Sequence, residues 1–168
     1  MAKNKSNTGS VMILLASLLG LAGLALLLFL PVVQLGDDTT YTGMQVLMGH
    51  TESSKILNVT FEVRILDFSI LMLAVILTAF IGILASLFSA VKGSKVMLFV
   101  TTLLLVAAGA ATFFIPNFVV LGKDLADINE FFGSVITAKD FKLGVGAIVS
   151  GSLFLVSGVI SLFSISLK

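Results

Sequence analysis

Four runs of apolar sequence, Val11 to Val33, Phe68 to Val91, Val96 to about Phe118 and Leu143 to Leu167, contain no Asp, Glu, Lys, Arg or His. At roughly 1.5 Å of rise per helical residue, each is long enough to cross about 30 Å of hydrocarbon. With 58% of its 168 residues apolar and only 11% charged, the chain carries more apolar surface than a water-soluble bundle can bury. The expected fold is an all-α membrane protein, a bundle of four transmembrane helices, with residues 1–10 as a tail and 11–168 as one membrane domain. Lys3 and Lys5 precede the first run as they would in a signal peptide. That run is too long for one and has no small-x-small cleavage site before Pro31, so it reads as a retained span.

An even number of spans places both termini on one side of the bilayer. The tails and the turn at 92–95 hold Lys3, Lys5, Lys92, Lys95 and Lys168 and no acid, whereas the loops at 34–67 and 119–142 hold Lys55, Arg64, Lys123, Lys139, Lys142 and all nine acids. The two sides therefore carry +5 and −4, which together make the net +1. Basic residues close to span ends stay in the cytoplasm, so both long loops are expected outside. A net charge this small excludes a nucleic-acid partner. Zero Cys and a single His remove disulfide frameworks, thiolate chemistry and most metal and triad chemistry.

Text repeats within the chain. Phe29-Leu30-Pro31, Val32-Val33, Leu35-Gly36 and Asp38 are echoed, with a one-residue difference in spacing, by Phe114-Ile115-Pro116, Val119-Val120, Leu121-Gly122 and Asp124. Asp67-Phe68 and Asp140-Phe141 open the second and fourth runs, and Ser86-Leu87-Phe88-Ser89 and Ser161-Leu162-Phe163-Ser164 close them. Four matches in one order point to two tandem helical hairpins, about 11–92 and 96–168. Copies of like orientation are related by an axis along the membrane normal, unlike the inverted repeats that place a carrier's site at the midplane.

Pro31 and Pro116 fall near the outer ends of their helices, where proline ends the hydrogen-bond ladder. Asp67 and Asp140 precede apolar runs and are expected to cap those helices, each contributing roughly 0.5 to 2 kcal/mol. Lipid tails offer no hydrophobic drive for helix association, so small residues that let backbones approach mark the packing faces. On the fourth run these are Gly144, Ala147, Gly151, Gly158 and Ser161, and on the second Thr78, Gly82 and Ser86, continued by Ala90. Ala16, Gly20 and Gly23 give the first a shorter patch, and Ala107 to Ala111 around Gly109 serve the third. The same faces are candidates for contact with a partner or a second copy.

In the first outer loop, Val59, Phe61, Val63 and Ile65 alternate with Asn58, Thr60, Glu62 and Arg64, the period of a half-buried strand. Thr39-Thr40-Tyr41 is expected to pair with it, and Thr42 to Gly49 reads as a short amphipathic turn. In the second loop, Asp124, Asp127 and Glu130 mark a short helix, and Phe131-Phe132 is expected to pack back on the membrane surface. Asp37 and Asp38 with those three acids are oxygen ligands of the kind calcium takes, but no Asp-x-Asp-x-Asp-Gly loop arranges them, so they read as a solvated face. His50 lies near Ser53 and Ser54 without any nucleophile turn. Asn58-Val59-Thr60 fits the glycosylation acceptor pattern. No catalytic residue, metal ligand or cofactor is assigned.

Four spans, inward termini and a long, strand-bearing first outer loop resemble the claudin-like layout. The resemblance is one of topology, because the Gly-Leu-Trp stretch and Cys pair of that family, like the Cys-Cys-Gly of tetraspanins, have no counterpart in a chain without Trp or Cys. Nine Lys to one Arg points to an AT-rich bacterial genome, hence a bacterial cytoplasmic membrane. Ion pumps and proton-coupled carriers keep ionisable groups within the bilayer, and these runs have none. The expected function is non-enzymatic: an accessory subunit or scaffold that contacts lipid and another membrane protein or itself. Two alternatives are an oligomeric channel lined by Ser150, Ser157, Ser161 and Ser164 with an acidic outer mouth, and a binder of lipid or apolar small molecules between the hairpins. Orientation is testable in this Cys-free chain: a single Cys at Ser53 should react with an impermeant maleimide on intact cells, and one at Ser94 only after lysis. The reverse pattern would invert the topology.

Overall fold

A computed structural model describes residues 2–37, 39–56, 59–92, 94–133 and 136–167. The chain runs through helix α1 (Ala2–Phe29), strands β1 (Pro31–Leu35) and β2 (Thr39–Thr42), helix α2 (Gly43–Met48), strands β3 (His50–Ile56) and β4 (Val59–Asp67), and helices α3 (Ile70–Lys92) and α4 (Lys95–Thr112). A 3-10 turn (Ile115–Phe118) leads to β5 (Val120–Leu121) and α5 (Lys123–Phe132), and a second one (Ala138–Asp140) leads to β6 (Phe141–Leu143) and α6 (Val145–Ser166). Four helices, α1, α3, α4 and α6, are long and apolar enough to cross a membrane. They close a ring in which α1 and α4 each pack on both α3 and α6.

Several helix ends fall short of the apolar runs, and three of them have a plain chemical reason. Leu30 still donates to the Leu26 carbonyl at 3.0 Å, but Pro31 has no amide hydrogen to follow it, and the chain turns into β1 with Val32 and Val33 fully buried. Helix α4 stops at Thr112, with Pro116 in the first turn of the 3-10 segment that follows. At the other end, Leu143 belongs to β6, and Gly144 is the extended residue before α6.

Two three-stranded antiparallel sheets sit at the end of the bundle where the long loops lie, in the orders β2-β1-β6 and β3-β4-β5. The period-two segment forms β4 as expected, and the turn at 42–49 holds helix α2. Its partner differs from the expectation: β4 pairs with β3, from His50↔Leu66 to Ile56↔Val59, while Thr39–Thr42 pairs with β1. The sequence His50-Thr51-Glu52-Ser53 lacks apolar alternation, so pairing to β4, not a buried face, makes it a strand. Asn58 and Asp38 lie outside the described residues.

The sheets join strands from opposite halves of the chain. β1, leaving α1, pairs with β6, entering α6 (Leu35↔Phe141); β5, following α4, pairs with β4, entering α3 (Leu66↔Leu121). Laying Pro31 over Pro116 brings the buried positions of α1 and α4 together: Ile13 on Leu98, Ala16 on Thr101, Ser17 on Thr102, Gly20 on Leu105, Gly23 on Ala108 and Leu27 on Thr112. Laying Ser86 over Ser161 does the same for α3 and α6, with Met72 on Ala147, Val75 on Ser150, Ala79 on Phe154, Gly82 on Ser157, Ile83 on Gly158 and Ser89 on Ser164. That superposition also places Leu66 on Phe141, matching the strand pairings, and Asp67 on Lys142. The Asp67-Phe68 and Asp140-Phe141 texts are therefore not in equivalent places.

Neither aspartate caps a long helix. Asp67 ends β4, where its carboxylate takes the Phe68 amide at 3.0 Å and the Arg64 guanidinium at 2.8 Å. Ser69 does the capping instead: its hydroxyl oxygen accepts from the Met72 amide at 3.2 Å while it donates to the Phe118 carbonyl at 2.6 Å. Asp140 closes its own 3-10 turn, accepting from the Thr137 amide and hydroxyl at 2.6 and 2.8 Å. Helix α6 starts at Gly144 without a side-chain cap. A carboxylate must stand at the residue next to the first helical turn to reach its amides, and both strands carry the aspartates out of that position. Ser69→Ala should therefore lower stability by about 1 to 3 kcal/mol. Asp67→Ala, which loses an exposed ion pair, should cost less than about 1 kcal/mol. Thermal unfolding of the detergent-solubilised variants checks the order.

Candidate functional site

The small residues of α6 face neighbouring helices of the same chain. A methyl group added at Gly151 would collide with Thr112 Oγ1 and reach the Gly109 carbonyl at 3.1 Å; one added at Gly109 would meet the Gly151 carbonyl at 3.0 Å. That reciprocal pair marks a close crossing of α4 and α6. Gly158 also meets α4, at Val106, while Gly144 lies against Pro31 and Val32, its amide donating to the Val32 carbonyl at 2.8 Å. Ala147 and Ser161 are fully buried. On α3 the residues divide among neighbours: Gly82 abuts Leu104 and Leu105 of α4, Ser86 meets Ser17 of α1 at 2.8 Å, and Thr78 is half-buried between α3 and α4. A four-residue spacing advances about 40° per step around a helix of 3.6 residues per turn, so such a row cannot keep one partner.

Hydroxyls in the bundle are satisfied mainly by the chain itself. Ser17, Thr78, Ser89, Thr102, Ser150, Ser161 and Ser164 donate to the carbonyl four residues back, the local bond open to a helical Ser or Thr. Ser157 instead crosses to the Ala16 carbonyl of α1 at 2.5 Å. Thr101 is fully buried, and among the described residues its hydroxyl has no hydrogen-bond partner. Ser150, Ser157, Ser161 and Ser164 all lie inside this single-chain bundle.

At the sheet end, one polar cluster joins the two sheets. Tyr41, 2% exposed, donates from its hydroxyl to Glu52 Oε1 at 3.0 Å, and its ring packs against His50 and Phe141. Burial, and then the neighbouring carboxylate, hold the Tyr41 phenol well above its ordinary range. Gln45 closes a capping box on α2, its Oε1 accepting from the Thr42 amide at 2.8 Å. Its Nε2 therefore faces His50 Nδ1, 3.3 Å away, as a donor, which makes Nδ1 the acceptor and assigns the other nitrogen the hydrogen. His50 is thus engaged with Gln45 and Tyr41.

The second loop docks on β4 through helix α5. Asp124 accepts from the Arg64 amide at 2.9 Å, and Gly122 donates to the Ile65 carbonyl at 2.8 Å. Asn129 grips the returning chain by accepting from the Ile136 amide and donating to its carbonyl. Past this anchor, Phe131 and Phe132 stack edge to face at 5.0 Å and stand 83% and 74% exposed. Asp140 is held below the usual carboxylate range by the Thr137 amide and hydroxyl.

Comparison with protein-family models, curated proteins and solved structures gave no match.

Sequence reasoning missed Ser69, Tyr41 and Gln45. Of these, Thr42-x-x-Gln45 carried a readable signal, the capping-box spacing. Two substitutions probe the packing directly. Thr101→Val removes an unpaired buried hydroxyl at constant shape and should raise stability by about 1 kcal/mol. Gly151→Leu should lower it by about 1 to 3 kcal/mol or more, by driving α4 from α6. Unfolding midpoints of the two variants, measured in one detergent, decide both.

Proposed function

We propose that this chain is a four-span protein of a bacterial cytoplasmic membrane that works through protein contacts, as an accessory subunit or scaffold, and carries out no chemistry of its own. In this reading the lysine-bearing tails and the 92–95 turn lie in the cytoplasm, and 34–67 and 119–142 lie outside. Two tandem hairpins of like orientation, α1 with α3 and α4 with α6, make up the body. The repeat reading draws support from burial: offsets chosen from the text alone, Pro31 on Pro116 and Ser86 on Ser161, also align the buried faces.

The observation that carries the functional reading is the Phe131-Phe132 pair. Small-residue faces in the bundle are used within the chain, which leaves little of them for a partner. Two adjacent aromatic rings exposed at the end of an amphipathic helix whose Leu125 is already buried are the kind of anchor that interfaces bury. The channel reading loses support, because the serines meant to line a lumen between copies are buried inside one copy.

Affinity purification from native membranes in mild detergent should recover a stoichiometric membrane-protein partner. Phe131→Ser with Phe132→Ser should reduce recovery at least about tenfold, which is roughly 1.4 kcal/mol of contact free energy, with an unchanged unfolding midpoint. Absence of any partner, or recovery indifferent to the two substitutions, would count against this reading; conductance of the purified protein in planar bilayers would favour the channel.

A further inference from the structure

At the sheet end of the bundle, helix α2 packs on α1, α3 and β4. Gly43 lies against the Leu27 carbonyl of α1, and the Leu47 carbonyl accepts at 3.1 Å from the amide of Ser69, the residue that caps α3. Gln45 holds both ends of α2. Its backbone carbonyl accepts from the Gly49 amide at 3.0 Å where the helix stops, and its Oε1 accepts from the Thr42 amide at 2.8 Å where it starts. Its Nε2 donates to His50 Nδ1 at 3.3 Å and so ties α2 to β3. The side-chain amide has one oxygen, which Thr42 uses, so the tie to β3 needs Nδ1 as a free acceptor. A protonated imidazole carries hydrogen on both nitrogens, and two donors would then face each other. Turning the Gln45 amide over sets its Nε2 against the Thr42 amide, another donor. Thr42 and an imidazolium therefore compete for one oxygen, and either the capping box or the tie to β3 is lost.

We infer that His50 is the proton sensor of this cap: protonation releases it from Gln45 and loosens α2 from the ends of α1 and α3. Histidine is the side chain whose ordinary charge change falls between about pH 5 and 8, and His50 is the one histidine of the chain. Its ring is half-buried, within reach of protons from the medium, and packs edge to face with Tyr41 at 5.6 Å. The titratable and charged groups around it are Tyr41 on β2, Glu52 on its own strand, bonded to the Tyr41 hydroxyl, and Arg64 and Asp67 on β4, which pair at 2.8 Å. Helix α2 carries none. Attraction of the imidazolium to either carboxylate would pull it from Gln45, and the Arg64 guanidinium beside Gly49 repels it. The inference does not depend on which partner the chain meets; on the proposed topology the sensor faces the external medium.

Amide hydrogen exchange of the full detergent-solubilised chain at about pH 7.5 and about pH 5 tests this, with rates corrected for the intrinsic effect of pH. Protection of segment 43–49 should fall about fivefold or more at the lower pH, the scale of a lost helix cap, while α3 and α6 stay equally protected at both. His50→Asn, whose amide oxygen can take the place of Nδ1 as a neutral acceptor, should abolish the dependence. Gln45→Glu should reverse it, because a carboxylate has one oxygen for Thr42 and another for the imidazolium, so acid tightens α2. A purely structural glutamine would show no such reversal. In the unsubstituted chain the midpoint of the change should coincide with the titration of the single imidazole followed by NMR. Equal protection at both pH values, a dependence that survives His50→Asn, loosening of Gln45→Glu in acid, or a midpoint apart from the imidazole titration would overturn the inference.

Discussion

Close backbone approach between helices is the interaction on which this structure depends. Apart from Lys92 and Lys95 beside their short turn, no ionised side chain lies along α3, α4 or α6, and the apolar side chains on the outer faces cannot draw the helices together in lipid. Cohesion comes from dispersion at short range, and that requires places where a side chain is missing. The facing glycines Gly109 and Gly151 provide one between α4 and α6. On the α1 side, Gly20 and Gly23 let Ile83, Leu153 and Phe154 come against the α1 backbone. Hydroxyls add little across the interfaces because most spend their hydrogen on their own helix; Ser157, which donates to Ala16 of α1, and Ser86, which faces Ser17 and the Ile13 carbonyl of α1, are the exceptions.

The sheets solve a different problem at the end of the bundle. A ring of four helices traced in chain order has one interface, α1 with α6, that no connecting segment spans. The β1–β6 ladder closes it, and β4–β5 closes α3 with α4 at the end away from their short turn. Each ladder satisfies backbone groups of two loops at once, so the two long loops become one cap in place of two flaps. Tyr41 then fastens sheet to sheet by its bond to Glu52. A raised phenol is neutral throughout the ordinary pH range, so this bond keeps its donor; its stabilising effect is full below the usual tyrosine range near 10 and is lost as pH rises through the shifted value.

Divergence between the two hairpins is as informative as their likeness. Positions that face the bundle axis coincide, while their residue types do not: Gly23 against Ala108, Ser157 against Gly82, Phe154 against Ala79. The interfaces are thus filled by different side chains, although a methyl on Gly82 would come as near the Leu104 Cβ, 3.2 Å, as one on Gly23 would come to the Leu153 Cβ. Ser69 and Gly144 show the same divergence at equivalent starts, one capping with a hydroxyl and the other with none, where close contact with Pro31 leaves no room for a side chain.

The four long helices, their approximate limits, strand β4, helix α5 and the small-residue rows were legible in the amino-acid order, because length without charge and periodic burial are local properties. Strands β1, β3 and β6 were not, since Pro31 to Val33 and Leu143 read as more apolar span and His50 to Ser53 as polar loop; what made them strands was a partner far away in the chain. Asp67 and Asp140 were misassigned for the same reason: pairing determined where each strand ended and so which residue stood at the helix start. Sequence by itself determined that this chain is built from four uncharged apolar helices with its acids gathered in two loops, because transfer free energy depends on residue type alone. Only the tertiary structure decided which neighbour each small residue meets and, among the described residues, which hydroxyl goes unpaired, because those depend on the distance between backbones that sequence order does not bring together.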